Sequence, residues 1–333
     1  MNETRQPEKP VRLDWRADGL LCPRCREPIP QAHLLQCETC EWSGYEEDDI
    51  VVLLSDPMDA THDELDHHHG PSHKAAQRTH FDEMQDETFE IERPHGTPRL
   101  YRFLLNEKFR RAGKPIGPAL RGATALVVCG GSGMDAEFLC RAGAKVVSTD
   151  LSLGAAKRAR ERSRRFELGI ESVVADVEQL PFPDESFDLV AVHDGLHHLA
   201  DPHAGLSEMA RVARRWILVT EPSAARLTRI AVRLGIARET EDAGNPVARM
   251  DPSKVGVLLE QLGFRVLHSE RYAMYYPHHP GRIFRLLSHP ILFPLVRMSW
   301  RVANAAMGRV GNKMVVAAER ARMAHAVSER QSA

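Results

Sequence analysis

Three groups of residues in this sequence have the types and spacing for chemistry. The first is a pair of C-x-x-C turns, Cys22/Cys25 and Cys37/Cys40. Each turn lets two thiolates reach one ion, and two turns complete a tetrahedral Zn2+ site. With every position filled by the protein, that ion would be structural rather than catalytic. The second group lies in 125–139, where an apolar run (Leu126, Val127, Val128) meets Gly130, Gly131 and Gly133; the next apolar run ends in Asp150. Glycines let the backbone approach an adenosine-containing ligand, and the acid accepts hydrogen bonds from ribose hydroxyls. Residues 131–136 also fit the G-x-G-x-x-A form of the NAD fingerprint, so this stretch alone leaves hydride and methyl transfer both open. The third group, Asp194, His197 and His198, follows a fourth apolar run. An imidazole titrating near neutrality suits a general base there, and a structural role is the alternative.

The elements that must hold these groups follow from periodicity. Short apolar runs at 126–128, 146–150, 172–175, 189–193, 216–222, 264–268 and 313–318 read as strands, and helical patterns separate most of them. Alternation of this kind predicts a mostly parallel, doubly wound α/β sheet. Residues 1–17 are a polar lead-in and 18–55 the cysteine module, which needs a metal staple because it is too small for an adequate core. Residues 56–73 are an acidic linker carrying His67, His68 and His69, read as exposed with metal binding as the alternative. Residues 74–118 read as a helical lid, with Tyr101 and Phe103 as wall or packing residues. The catalytic domain runs over 119–319, with an insertion at 276–312, and 320–333 is a tail. Within the domain, 224–235 has apolar residues at helical spacing and is placed to cover an acceptor.

Charge and composition narrow the classes. The chain has 333 residues and a formal charge of -2, which argues against a globally basic nucleic-acid binder. Residues 157–165 hold six basic side chains and one acid, a solvated helix face or a nucleic-acid contact. From Arg271 to Lys313 inclusive there are seven Lys or Arg and no acid. That insertion either rests on a lipid head-group layer, binds an anionic acceptor, or packs as a small helical cap. No transmembrane span and no secretory signal are expected, and paired cysteines suit a reducing compartment. The expected location is the cytoplasm, with the membrane surface reached through 276–312.

The downstream blocks carry a specific resemblance. Leu180-Pro-Phe-Pro-Asp-Glu-Ser-Phe-Asp188, His197-His-Leu-Ala-Asp-Pro202 and Glu208-Met-Ala-Arg-Val212 follow the glycine turn in the order seen in class I S-adenosylmethionine-dependent methyltransferases. They resemble in particular the ubiquinone and menaquinone biosynthetic group. The resemblance implies a seven-stranded Rossmann-like sheet and S-adenosylmethionine as cofactor, and it removes the NAD alternative. It implies cofactor contacts from Gly131, Gly133, Asp150, Leu151, Asp176, Val177 and His193, with Asp150 on the ribose and Asp176 on the adenine amino group. Cys129 stands where that family usually has its first turn glycine, and Val127 near a position often acidic; Asp135 either partly compensates or is a helix N-terminal acid favoured by the dipole. Residues 18–55 similarly resemble the zinc ribbons related to the activator subunit of tRNA and release-factor methyltransferases, with Asp48-Asp-Ile50 where those carry D-G-I.

Three functions follow from these resemblances and charges. The first is methylation of a small molecule or a lipid or glycan precursor. The second is rRNA or tRNA methylation with the ribbon docking on RNA, and the third is a non-catalytic scaffold that binds the cofactor. The acidic 41–66 region, with ten acids and no Lys or Arg, weighs against RNA.

Overall fold

The computed structural model of the chain describes residues 15, 19–30, 35–55, 73–84, 87–199, 201–225 and 249–321. The lead-in apart from Trp15, the linker with its three histidines, the acceptor-side helix at 226–235 and the tail beyond 321 lie outside the described residues.

Two short hairpins begin the chain: β1 (Leu20–Leu21) with β2 (Pro28–Ile29), and β3 (Tyr45–Glu47) with β4 (Ile50–Leu53). Helices α1 (His73–Asp82), α2 (Glu87–Glu92) and α3 (Arg99–Gly113) follow. The alternating part comprises β5 (Thr124–Val128), α4 (Met134–Arg141), β6 (Lys145–Asp150), α5 (Leu153–Arg165), β7 (Glu171–Ala175), β8 (Phe187–His193), α6 (Pro202–Val212) and β9 (Ala213–Pro222). It closes with α7 (Pro252–Gln261), β10 (Phe264–Tyr272), α8 (Arg282–Leu287), α9 (Leu292–Met307) and β11 (Lys313–Arg320). Side chains of Ser152, Asp201 and Asp251 accept the first free backbone N–H groups of α5, α6 and α7, which fixes where those helices start.

The main sheet has the order β10-β11-β9-β8-β5-β6-β7-β4-β3. All seven strands expected between 119 and 319 are present, and β4, β7, β6, β5, β8 and β9 run parallel. Central strand β5 shows why: Ala125, Leu126, Val127 and Val128 are each 0% exposed, with Leu126 and Val128 in the core on one face and Ala125 and Val127 in the core on the other. A strand covered by helices on both sides needs a continuous apolar run.

The sheet is larger than the seven strands expected, because the cysteine module contributes two more. Val51, Val52 and Leu53 pair in parallel with Val173, Val174 and Ala175, so β4 continues the sheet past β7. Its four side chains are fully buried, each contributing roughly 1.5–3 kcal/mol of apolar burial. Cys22, Cys37 and Trp42 share one core cluster with Leu126, Val173 and Phe182. Leu21 N donates to the Pro181 carbonyl at 3.0 Å, and Arg26 Nη1 to that of Leu180 at 3.0 Å. The module is built into the catalytic sheet rather than tethered to it.

The basic run on α5 is split: Arg158 and Arg162 are buried, while Lys157, Arg160, Arg164 and Arg165 stay 41–78% exposed, each paired with an acid of the protein. Lys157 pairs with Glu47 at 2.5 Å, and Arg160 with Asp49 on the β3–β4 hairpin. Arg158 and Arg162 are buried: Arg158 Nη2 donates to the Phe81 carbonyl at 2.6 Å, and Arg162 Nη1 pairs with Glu137 at 2.7 Å. Arg164 and Arg165 pair with Glu161 and Glu92. The charges tie α5 to the elements around it.

Candidate cofactor site and cysteine cluster

Parallel strands bring their C-terminal ends to one edge, and ligands settle where the strand order reverses. Here that point lies between β5 and β8, and a cavity of about 940 Å3 opens over it. Cys129–Ser132, Met134 and Asp135 line it after β5, Asp150–Ser152 after β6, Asp176 and Val177 after β7, and His193–Gly195 after β8, whereas Gly133, expected at the cofactor, packs against Ala159 of α5. The roof comes from α1, through Lys74, Gln77 and Phe81, and from Met274–Tyr276 with His278 and His279.

The glycine turn bends through left-handed backbone, with φ of 51° at Cys129, 51° at Gly131 and 77° at Gly133. Only glycine adopts that region freely, so Cys129 is held there by its surroundings: a Cβ on Gly195 would lie 2.4 Å from that of Cys129. Burial pushes the Cys129 thiol well above its ordinary value, so it is not a reactive thiolate. A side chain on Gly131 would project into open space, which is the cavity itself. Arg162 Nε donates to the Ser132 carbonyl at 2.7 Å, so α5 clamps the turn from behind.

The two acids expected to grip adenosine stand at the cavity wall. Asp150 accepts from Gly131 N and Ser152 N, each at 2.9 Å, which fixes its carboxylate beside the turn. Asp176 accepts from Glu178 N at 2.9 Å, and its other oxygen lies 2.5 Å from Lys74 Nζ of α1. Lys74 also contacts Glu178. This lysine reaches into the cavity beside Asp176. Asp135 lines the opposite part, and burial pushes its carboxyl up to about 7. Leu151, Val177 and His193 also line the wall, as expected.

The three candidate catalytic residues separate. His198 lines the cavity with Phe81 edge-on at 5.9 Å. His197 does not line it: it is 4% exposed, and its Nδ1 lies 2.6 Å from Glu221 Oε2. Glu221 is 0% exposed and accepts from Gly195 N at 3.0 Å and Leu196 N at 2.8 Å. Of the two roles expected for His197, this geometry matches the structural one, holding the loop after β8, and not that of a base at the cavity.

Asp194 lines the cavity but is committed elsewhere. Lys108 Nζ lies 2.6 Å and Lys313 Nζ 2.9 Å from its Oδ2. Burial alone would raise the Asp194 carboxyl, and the two ammonium groups overcome it and hold it well below the usual carboxylate range. So acidic a group is a poor proton acceptor, which removes Asp194 as general base. His193, pushed down to about 4 by burial and then by Lys108, is a neutral imidazole at the end of β8. Its Nδ1 and Asp194 Oδ1 are buried without hydrogen-bond partners.

Sequence reasoning missed Lys108, Lys313, Glu221 and Lys74. Lys108 left one signal: with Tyr101, Leu104, Leu105 and Ala112 it occupies the buried face of α3, where an unpaired lysine would be costly. Tyr101 and Phe103 are packing residues, against Tyr276 and Phe284 and against Phe293 and Trp300 respectively.

The cysteines come together. The four Sγ atoms lie within 4.8 Å of one another, with Cys22–Cys40 and Cys25–Cys37 at 3.5 Å. That is too long for disulfides and near the edge of a Zn–S4 tetrahedron, about 3.8 Å for a Zn–S bond of about 2.3 Å. Arg26 and Glu41, each one residue past a pair, take φ of 68° and 57°, the turn that folds each pair around one point.

Residues 126–216 match the family described as "Methyltransferase domain". The demethylmenaquinone methyltransferase of Mycobacterium sp. (strain KMS) is 38% identical over 99 residues, which are 30% of this chain and 39% of that protein. The chain thus aligns with well under half the length of that relative. Among solved structures, magnesium protoporphyrin IX methyltransferase from Synechocystis PCC 6803 with bound SAH superposes with a TM-score of 0.52 at 16% identity, covering 74% of this chain and 100% of that one. The cyclase SpnF also gives 0.52 at 16% identity, covering 75% and 97%. The same architecture thus hosts different chemistries, and likeness at this level speaks for the fold alone. The family match covers residues 126–216, from β5 to the start of β9, within a sheet of Rossmann-like α/β fold.

Proposed function

We propose that the chain is an S-adenosylmethionine-dependent methyltransferase whose acceptor is a small, lipid-soluble aromatic of the quinone type. The observation that carries the reading is the row of groups along one cavity edge, the turn residues Gly130–Ser132 followed by Asp150 and by Asp176 at and just past the ends of β6 and β7. Their donor and acceptor types fit the cofactor. Asp150 would take the ribose hydroxyls, Asp176 with Val177 the adenine edge, and Leu151 would flank the ring. Asp135 and His193, both on the cavity wall and the latter with an unpartnered Nδ1, would face the methionine end. When bound, the cofactor supplies a methyl group on a sulfonium, already a good leaving group.

The protein's own part is orientation and exclusion of water. Glu221 and His197 fix the loop that carries His198 to the cavity. His198 is then the side chain placed to take a proton from the acceptor, a hydroxyl or a ring carbon beside one. Lys313 and Tyr276 line the same cavity, and Lys108 donates to Tyr276 Oη at 2.8 Å and to Asp194. This cationic cluster suits an acceptor oxygen that gains negative charge. The similarity to a demethylmenaquinone methyltransferase supports the quinone class of acceptor.

The reading also includes structural Zn2+ on Cys22, Cys25, Cys37 and Cys40, supported by the sulfur spacing. An RNA acceptor is disfavoured, since the basic run on α5 is paired internally. The test is incubation with methyl-labelled S-adenosylmethionine and a demethylated naphthoquinol, with structured RNA in parallel. Label in the quinol supports the proposal, and label in RNA alone overturns it.

A further inference from the structure

The insertion between β10 and β11 has two faces of opposite character. Inward, Phe293, Val296 and Trp300 of α9 pack on the core that includes α3, with Trp300 and Phe293 edge-on to Phe103 at 5.4 and 5.9 Å. Asn304 Nδ2 donates to the Ala273 carbonyl at 3.0 Å and its Oδ1 accepts from Ala273 N at 2.8 Å, pinning the helix to the end of β10. Outward, Ile291, Leu295, Met298 and Val302 recur at i, i+4, i+7 and i+11 and are 60–75% exposed. On α8, Ile283 and Leu286 are 70% and 63% exposed. Nine of the eleven exposed large hydrophobic side chains among the described residues fall between Tyr275 and Val310. The patch is therefore concentrated in one place, not the scatter normal on a protein surface.

Charge identifies what covers it. Arg282, Arg285, Arg297, Arg301 and Arg309 are exposed around the apolar residues, and no acid occurs between Arg271 and Lys313 in a chain whose formal charge is -2. Apolar side chains bordered by arginines on a short helix match the acyl boundary and head groups of an anionic bilayer. No helix among the described residues is long and apolar enough to cross a membrane. The same segment reaches the cavity, where Tyr275, Tyr276, His278 and His279 line the roof.

We propose that α8 and α9 seat the protein on a bilayer rich in anionic phospholipid, so that the cavity roof lies at the lipid surface. This deepens the methyltransferase reading, because a lipid-soluble acceptor would enter from that side. Vesicle binding is measured without turnover, so the two ideas fail independently.

The test is flotation of the full chain with vesicles of phosphatidylcholine alone or with about one third phosphatidylglycerol. The expected result is binding to the anionic vesicles roughly tenfold or more above the neutral ones, weakened by salt. The double variant Leu295→Glu/Met298→Glu should lose it by a similar factor, and Arg285→Gln/Arg297→Gln should retain only the salt-independent part. Both pairs point outward, and an unchanged thermal midpoint shows that the fold is retained. A wild-type chain that does not float with anionic vesicles, or a glutamate variant that floats equally well, overturns the proposal. So does a wild-type dimer that the glutamate variant splits while neither form floats, which would assign the face to a second copy.

Discussion

Glu221 Oε2 lies 2.6 Å from His197 Nδ1 in the interior, and the other oxygen of the same carboxylate receives the backbone N–H groups of Gly195 and Leu196. One buried acid at the end of β9 thus shapes the loop at the end of β8. His197→Ala leaves that carboxylate short of a partner, at a cost of about 1–3 kcal/mol. Chemical denaturation should show this loss, while the pH profile of the remaining turnover keeps its shape. Loss of an ionisation from the profile would restore His197 as the base.

Asp194 neutralises the buried ammonium of Lys108 and the half-buried one of Lys313, so breaking the cluster exposes their repulsion. Asp194→Asn should cost about 3–5 kcal/mol, and adding Lys108→Met should recover part of it. The sign with pH follows from the depressed carboxyl. Its stabilisation is full above the unfolded value of about 3.9 and is lost as pH falls through the lower folded value. Urea unfolding at pH 7 and pH 3 reads both effects; equal stability of the Asn variant at pH 7 contradicts the account.

Because β4 is a strand of the main sheet, the cysteine cluster is coupled to the catalytic core. Removal of Zn2+ by a chelator, or Cys37→Ser, should lower the melting temperature of the whole chain by roughly 2 °C for each 1 kcal/mol lost, with one transition. Two separate transitions, or no change, would mean that the module folds by itself.

Much of this was legible because parallel strands buried on both faces are written as apolar runs, and the residues that end them, Asp150, Asp176 and His193, are chemically marked. The pairing of Ile50–Leu53 with β7 was not, since an apolar run does not say which edge it joins 120 residues away. Nor was the use of the α5 charges. Six basic residues in nine do not reveal that two of them, Arg158 and Arg162, are buried, or that others pair with the hairpin acids. His197 and His198 are adjacent and chemically alike, and only the loop geometry sends one to Glu221 and the other to the cavity. Lys108 and Lys313 are 205 positions apart in sequence and meet on a single carboxylate.

The most direct measurement is calorimetric titration of the purified chain with S-adenosylmethionine, for the wild type and for Asp150→Asn. The account predicts one site per chain in the wild type and binding at least about tenfold weaker in the variant, the equivalent of roughly 1.4 kcal/mol or more. Absence of binding to the wild-type protein, or equal affinity in both, would contradict it.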